Sequence, residues 1–268
     1  MTVSVEDDFR AIVGRLRGWG FSIREEPGCY GRGNGTSWAA GRPEGHVNHH
    51  YVCSLNPDQS YIDSLVSTLV GGCTVNWFAD VNGHGYLIGT GPCNHAGTGN
   101  SSVLNLTRQD RPPPGPATAA GDMSGNQTYS GTECQHPGDA TPWPPPMLQV
   151  MVAINAAEFL QFGYTAARAI DHYEWTNRKI DMSAGGGPAS GPAAGDALRD
   201  AVADRMSGKD DDIVTDDDIK AIAKEVWAYA IDYAKQTNDA KDPEDNVREP
   251  AYKVLSAAAS YAGRASKR

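Results

Sequence analysis

Between Ser183 and Asp196 the chain reads SAGGGPASGPAAGD. A stretch so rich in glycine, proline and alanine has no apolar period and nothing large to bury, so it reads as a flexible linker. It divides the 268 residues into a larger part, 1–182, and a smaller one, 197–268. The first part is long enough to hold a core of its own. The second is Ala-rich and too small to bury a substantial core alone.

In the tail, Thr215 and Asp218 form a start signal of capping-box type. They precede a helix carrying Ile219, Ile222, Val226, Tyr229 and Tyr233. A second helix is expected over 250–262. The acidic runs KDDD and TDDD read as solvated helix ends and loops, and no sugar-binding repeat is visible. Wall binding, self-association through its helices and bracing of the first part all remain open for the tail.

The first part alternates helical and strand signals, which predicts a mixed α/β layer structure, a mostly β sheet flanked by helices. Residues 5–18 form an amphipathic helix, with Phe9, Ile12, Val13 and Leu16 on one face and Ser4 as its cap. HVNHHYVCSL from His46 reads as a strand. A helix is expected over 57–70 with Tyr61, Leu65 and Leu69 on one face. CTVNWFADV and GYLIGTG flank the turn NGHG as a hairpin. Residues 94–125 read as loop, TYSGTECQ as a strand, and 147–162 as a helix with a wide apolar face.

With 40% hydrophobic and 21% charged residues the composition is that of an ordinary soluble protein. A net charge of −10 argues against nucleic acid as the main partner. The N-terminus MTVSVEDDFRAIVGRLRGWG has no uninterrupted apolar region, so no signal peptide is expected, nor any membrane insertion. This places the protein in a cytoplasm unless something releases it. Five cysteines lack any CxxC pairing. Without an export signal they are expected to be reduced packing residues, with a Cys53–Cys73 or Cys73–Cys93 bridge left open.

The chemistry concentrates in the first part, which holds all seven histidines. HExxH is absent, so ligands for a zinc hydrolase site would have to come from distant segments. NHHY on a strand can aim only one of His49 and His50 at a given face. The other donors stand in DHYEWTNRKIDMS, which holds His172, Lys179 and Asp181. Lys179 is the only lysine among the first 182 residues, against ten arginines. Hydrolysing an amide at neutral pH takes an activated water, a polarised carbonyl and a carboxylate to move the proton. A compact cation beside the reacting carbonyl would stabilise its oxyanion, and lysine suits that task.

Four segments, HVNHHYVCSL, GYLIGTGPCNHAGTGN, TYSGTECQHPGD and AIDHYEWTNRKIDMS, resemble in order the motifs of the zinc-dependent N-acetylmuramoyl-L-alanine amidases. Those enzymes share a fold with peptidoglycan recognition proteins. The resemblance covers roughly residues 10–182 and is greatest to endolysins of phages of actinobacteria. It implies a zinc site of His49, His172 and Asp181 with one open position. It implies Glu133 as general base and Lys179 as the cation near the substrate oxygen. His95 and Asn94 would line the substrate groove.

Departures are Tyr51 where the family pattern has threonine, Asn94 where it often has tryptophan, and Asn76 or Trp77 in the place of a hairpin tyrosine. Trp77 is accordingly expected to touch substrate. The function implied is cleavage of the amide between N-acetylmuramic acid and L-alanine in bacterial peptidoglycan, reached with the help of a holin-like permeabilising protein. A non-catalytic muropeptide-binding module and a zinc peptidase acting on the stem peptide are the alternatives. A Cys–His hydrolase using Cys93 or Cys53 finds no cysteine at a recognisable helix start, and no GxSxG elbow supports a serine triad.

Overall fold

Ser4 opens the first helix, α1 (Val5–Gly18), by accepting the Asp7 amide, and Glu6, Asp7 and Asp8 suit its positive end. Phe9, Ile12, Val13 and Leu16 are fully buried, the face the sequence period marks. Each such side chain contributes about 1.5–3 kcal/mol on leaving water. The computed structural model describes residues 4–56, 59–66, 73–139, 141, 143–182 and 195–208.

Among the described residues eight strands follow: β1 (Ser22–Glu25), β2 (His46–Val52), β3 (Trp77–Ala79), β4 (His84–Leu87), β5 (Thr98–Gly99), β6 (Met123–Ser124), β7 (Ser130–His136) and β8 (Ala169–Asp171). Six of them form one sheet in the order β1-β4-β3-β7-β2-β8. Only β3 and β4 pair antiparallel; the other neighbours are parallel. β5 and β6 form a small ribbon. The expected mixed α/β architecture is therefore present.

Helices cover both faces, as a mostly parallel sheet requires. On one face α1 lies with α4 (Pro145–Phe162) and α6 (Gly195–Met206), around Trp77, Leu87, Met151 and Ile154. α4 is apolar nearly all round, so its two buried polar residues must find partners. Asn155 pairs with Asn48, and Glu158 accepts from Ser130 Oγ, His46 Nδ1 and Trp77 Nε1. On the other face lie α2 (Gln59–Val66), α3 (Ser101–Arg108) and the one-turn α5 (His172–Trp175).

Three expectations change. Residues 94–125 are not all loop: Asn100 caps α3 through the Ser102 amide, and Val103, Leu104 and Thr107 face inward. Cys73 and Cys93 are paired in a disulfide, while Cys29 and Cys134 are buried and free. The chain divides into units Met1–Lys209 and Asp210–Arg268, so the break falls beyond the Gly/Pro-rich stretch. The last two residues of that stretch, Gly195 and Asp196, open α6. Leu198 and Val202, four apart on α6, are fully buried in the same core as α4. Leu69 and the helices expected over 219–233 and 250–262 lie outside the described residues.

Candidate metal centre

The parallel pairing of β2 with its neighbours places His49 opposite Glu133 of β7, and Asn48 opposite Asp171 at the end of β8. β8 runs straight into α5, whose first residue is His172. The chain then turns back, and the Asp181 carbonyl accepts the Tyr173 amide at 2.8 Å. Three residues from two segments far apart in sequence thus meet on one side of the sheet. A segment at 117–120 holds this turn: Tyr173 O accepts the Ala117 amide, and Thr176 Oγ1 and the Asn177 amide donate to Ala120 and Ala119 carbonyls.

His49, His172 and Asp181 are almost wholly buried, at 1%, 2% and 7% exposure. His49 Nδ1 lies 2.8 Å from His172 Nδ1 and 3.2 Å from Asp181 Oδ2, and His172 Nδ1 lies 2.7 Å from the same oxygen. The opposite ring nitrogens decide what these atoms are. His95 Nε2 donates to the Tyr129 carbonyl at 3.0 Å, which leaves His95 Nδ1 as the acceptor for His49 Nε2–H at 2.9 Å. His172 Nε2 donates to the Ala96 carbonyl at 3.2 Å. Protons assigned from this network leave lone pairs on both Nδ1 atoms, facing a carboxylate oxygen.

Three acceptors at these distances need a cation between them. One proton lies along one line and serves two atoms; a metal ion serves all three. Two imidazole nitrogens and a carboxylate are a donor set suited to zinc, with the outer nitrogens held by carbonyl and imidazole partners. With bonds of about 2.0–2.1 Å, a zinc tetrahedron has edges near ~3.3 Å. The longest separation already approaches that figure, and the shortest is about half an ångström below it.

Solved structures similar to this chain include these three. One is a selenomethionine derivative of AmpD, 16% identical with a TM-score of 0.44 over 68% of this chain and 93% of that one. Another is the Staphylococcus aureus hydrolase AmiA in complex with its ligand, at 14% identity and a TM-score of 0.44, covering 75% and 92%. A third is the endolysin N-acetylmuramoyl-L-alanine amidase LysCS from Clostridium intestinale, at 15% and 0.33, covering 56% and 80%. No family model and no curated protein matches the sequence.

Glu133 lies on the same face as His49, one strand away. Its Oε2 is buried without a hydrogen-bond partner among the described residues. Burial, and then the charge of Asp181, push its carboxyl up to about 8, against an opposing pull from Lys179. Lys179 itself is exposed, on the turn between His172 and Asp181. Burial and the neighbouring His172 draw the His49 imidazole down to about 3. Burial works against the Asp181 carboxylate, yet a proton taken up at Nδ1 of His172 or His49 in the metal-free protein is donated to it and holds it well below the usual range.

Two expected groove residues, Trp77 and His95, lie elsewhere or act otherwise. Trp77 is fully buried on the opposite face, stacked 5.9 Å from Phe9 and donating to Glu158 at 2.7 Å. Strand alternation aims its neighbour Phe78, opposite Glu133, at the site face instead. Asn76 is buried and tethers Gly89, Gly91 and Gly131. His95 sits behind His49 rather than in a groove, in space that only a glycine at 131 leaves open: a Cβ there would come within 2.5 Å of its Nδ1. Asn94 is exposed beside it, bonded to Asn34 and Asn126. The HAG motif signals His95, but only the ring orientation reveals that it holds His49.

Proposed function

We propose that this chain is a zinc-dependent peptidoglycan hydrolase that cuts the amide between N-acetylmuramic acid and L-alanine, acting as a phage endolysin. The convergence of three lone-pair atoms at His49, His172 and Asp181, beside the orphaned carboxylate oxygen of Glu133, carries this reading. The ordered motifs across residues 10–182 support the substrate and the bond. When bound, the ion supplies Lewis acidity.

Each residue then has a task. His95 and the Ala96 carbonyl keep His49 and His172 in the tautomers that expose Nδ1. Glu133, whose carboxyl Lys179 and a bound cation would draw down into its ionised form, takes the proton of the attacking water at Oε2 and passes it to the departing nitrogen of L-alanine. Lys179, whose charge reaches Glu133, offsets the negative charge that grows on the muramoyl carbonyl oxygen. A holin-like permeabilising protein gives the enzyme access to the wall. No helix among the described residues is long and apolar enough to cross a membrane.

Digestion of purified peptidoglycan tests this. Mass analysis is expected to find stem peptides beginning with free L-alanine and glycan strands with intact lactyl groups. Fragments cut within the stem peptide would instead mark a peptidase, and bound but uncut wall a recognition module.

A further inference from the structure

α6 begins at the end of the Gly/Pro-rich stretch, yet its polar side chains reach the residues flanking a proposed metal ligand. Arg199, only 7% exposed, makes a two-pronged ion pair with Glu174: Nη1 and Nη2 each donate at 3.0 Å to its two carboxylate oxygens. Nη1 also donates to the Ala169 carbonyl at 3.0 Å. Glu174 Oε2 in turn accepts the Asp171 amide at 3.0 Å, and Asp171 Oδ2 accepts the Gly195 amide at 2.6 Å. Ala169, Asp171 and Glu174 bracket His172 on both sides.

The rigid, planar guanidinium is what makes this a fixture rather than a charge contact, because its fork matches a carboxylate edge to edge. Leu198 and Val202, buried in the α4 core, fix the guanidinium's base. Glu174 transmits that position to the amide preceding His172. We propose that Arg199 is a positioning residue for His172: through Glu174, helix α6 sets the aim of the His172 Nδ1 atom at the metal. The inference rests on the reading of His49, His172 and Asp181 as a metal centre.

Cobalt(II) titration of the full-length protein separates the two claims. The wild-type chain is expected to bind one Co²⁺ with visible d–d bands of a low-coordinate site. Arg199→Lys keeps the charge but loses the fork. It is expected to bind Co²⁺ roughly 10-fold to 100-fold more weakly, the range for residues that orient ligands, with shifted bands. Arg108→Lys, which loosens the similar Arg108–Glu44 pair away from this turn, is expected to leave affinity and bands unchanged.

An Arg199→Lys protein that melts lower but binds cobalt with wild-type affinity and spectrum makes Arg199 merely structural and overturns the inference alone. A wild-type protein that takes up no cobalt at this site overturns the metal centre, and the positioning role with it. Should Arg199→Lys fail to fold, Glu174→Gln reads the same link from the other side, with the same two outcomes.

Discussion

Glu133 combines burial, a like charge in Asp181 and an opposing cation in Lys179, and the balance leaves its carboxyl near neutrality. A structural carboxylate in such surroundings would be paired; its buried Oε2 has no partner among the described residues. Glu133→Gln keeps the shape and removes the base. We expect kcat to fall by about 10²-fold to 10⁴-fold with zinc content unchanged, measured on solubilised wall and by metal analysis. Loss of zinc instead would make Glu133 a ligand. At this scale the sequence is legible where chemistry is rare: a solitary lysine and two histidine-bearing motifs point to the turn and to β2. His95 is harder, because its role depends on which ring nitrogen faces Tyr129, and no spacing encodes that.

Elements are legible where one period runs long enough. α1 and α4 carry sustained apolar patterns, and β2 and β7 carry seven residues each. β8 has three residues and α5 four, too few for any period, although these two place His172. α3 hides among prolines and glycines, with Asn100 as its only strong signal. Within β3, a shift of one residue exchanges the two faces, which is how Trp77 is expected in the groove and found in the core.

That placement gives a test. Trp77→Phe removes the donor to Glu158 Oε1, and a buried acceptor losing its partner costs about 1–3 kcal/mol. Thermal unfolding is expected to show this loss, while KM for wall fragments stays unchanged. A raised KM with unchanged stability would return Trp77 to the groove.

For the whole molecule, the buried histidines set a pH dependence in the metal-free state. His49 is drawn down to about 3, and burial also lowers His50, His95 and His136 from their usual 6.5. Below pH 6.5 the unfolded chain takes up protons on these four that the folded chain refuses, so stability falls as the pH drops from 6.5 toward 3. Asp181, held low, adds to the loss below 3.8. Glu133 has the opposite sign: the folded protein keeps its proton between 4.5 and about 8 while the unfolded chain releases it, so stability declines as pH rises through that window.

Chelator-treated protein is therefore expected to melt highest near pH 6.5, and Glu133→Gln to lessen the decline toward pH 8, to which the Asp171 carboxyl, raised by burial, also contributes. A melting temperature that stays level from pH 6.5 down to 4 would contradict the burial of these rings. The Gly/Pro-rich composition of 183–196 does not announce the return of α6 to the core, because that depends on two side chains, Leu198 and Val202, finding α4.

Metal content measured on the purified chain tests the central claim most directly. One zinc per chain is predicted for the wild type, with less than a tenth of that in His172→Ala and in Asp181→Ala proteins that remain folded. Equal zinc in these variants, or none in the wild type, would contradict the account.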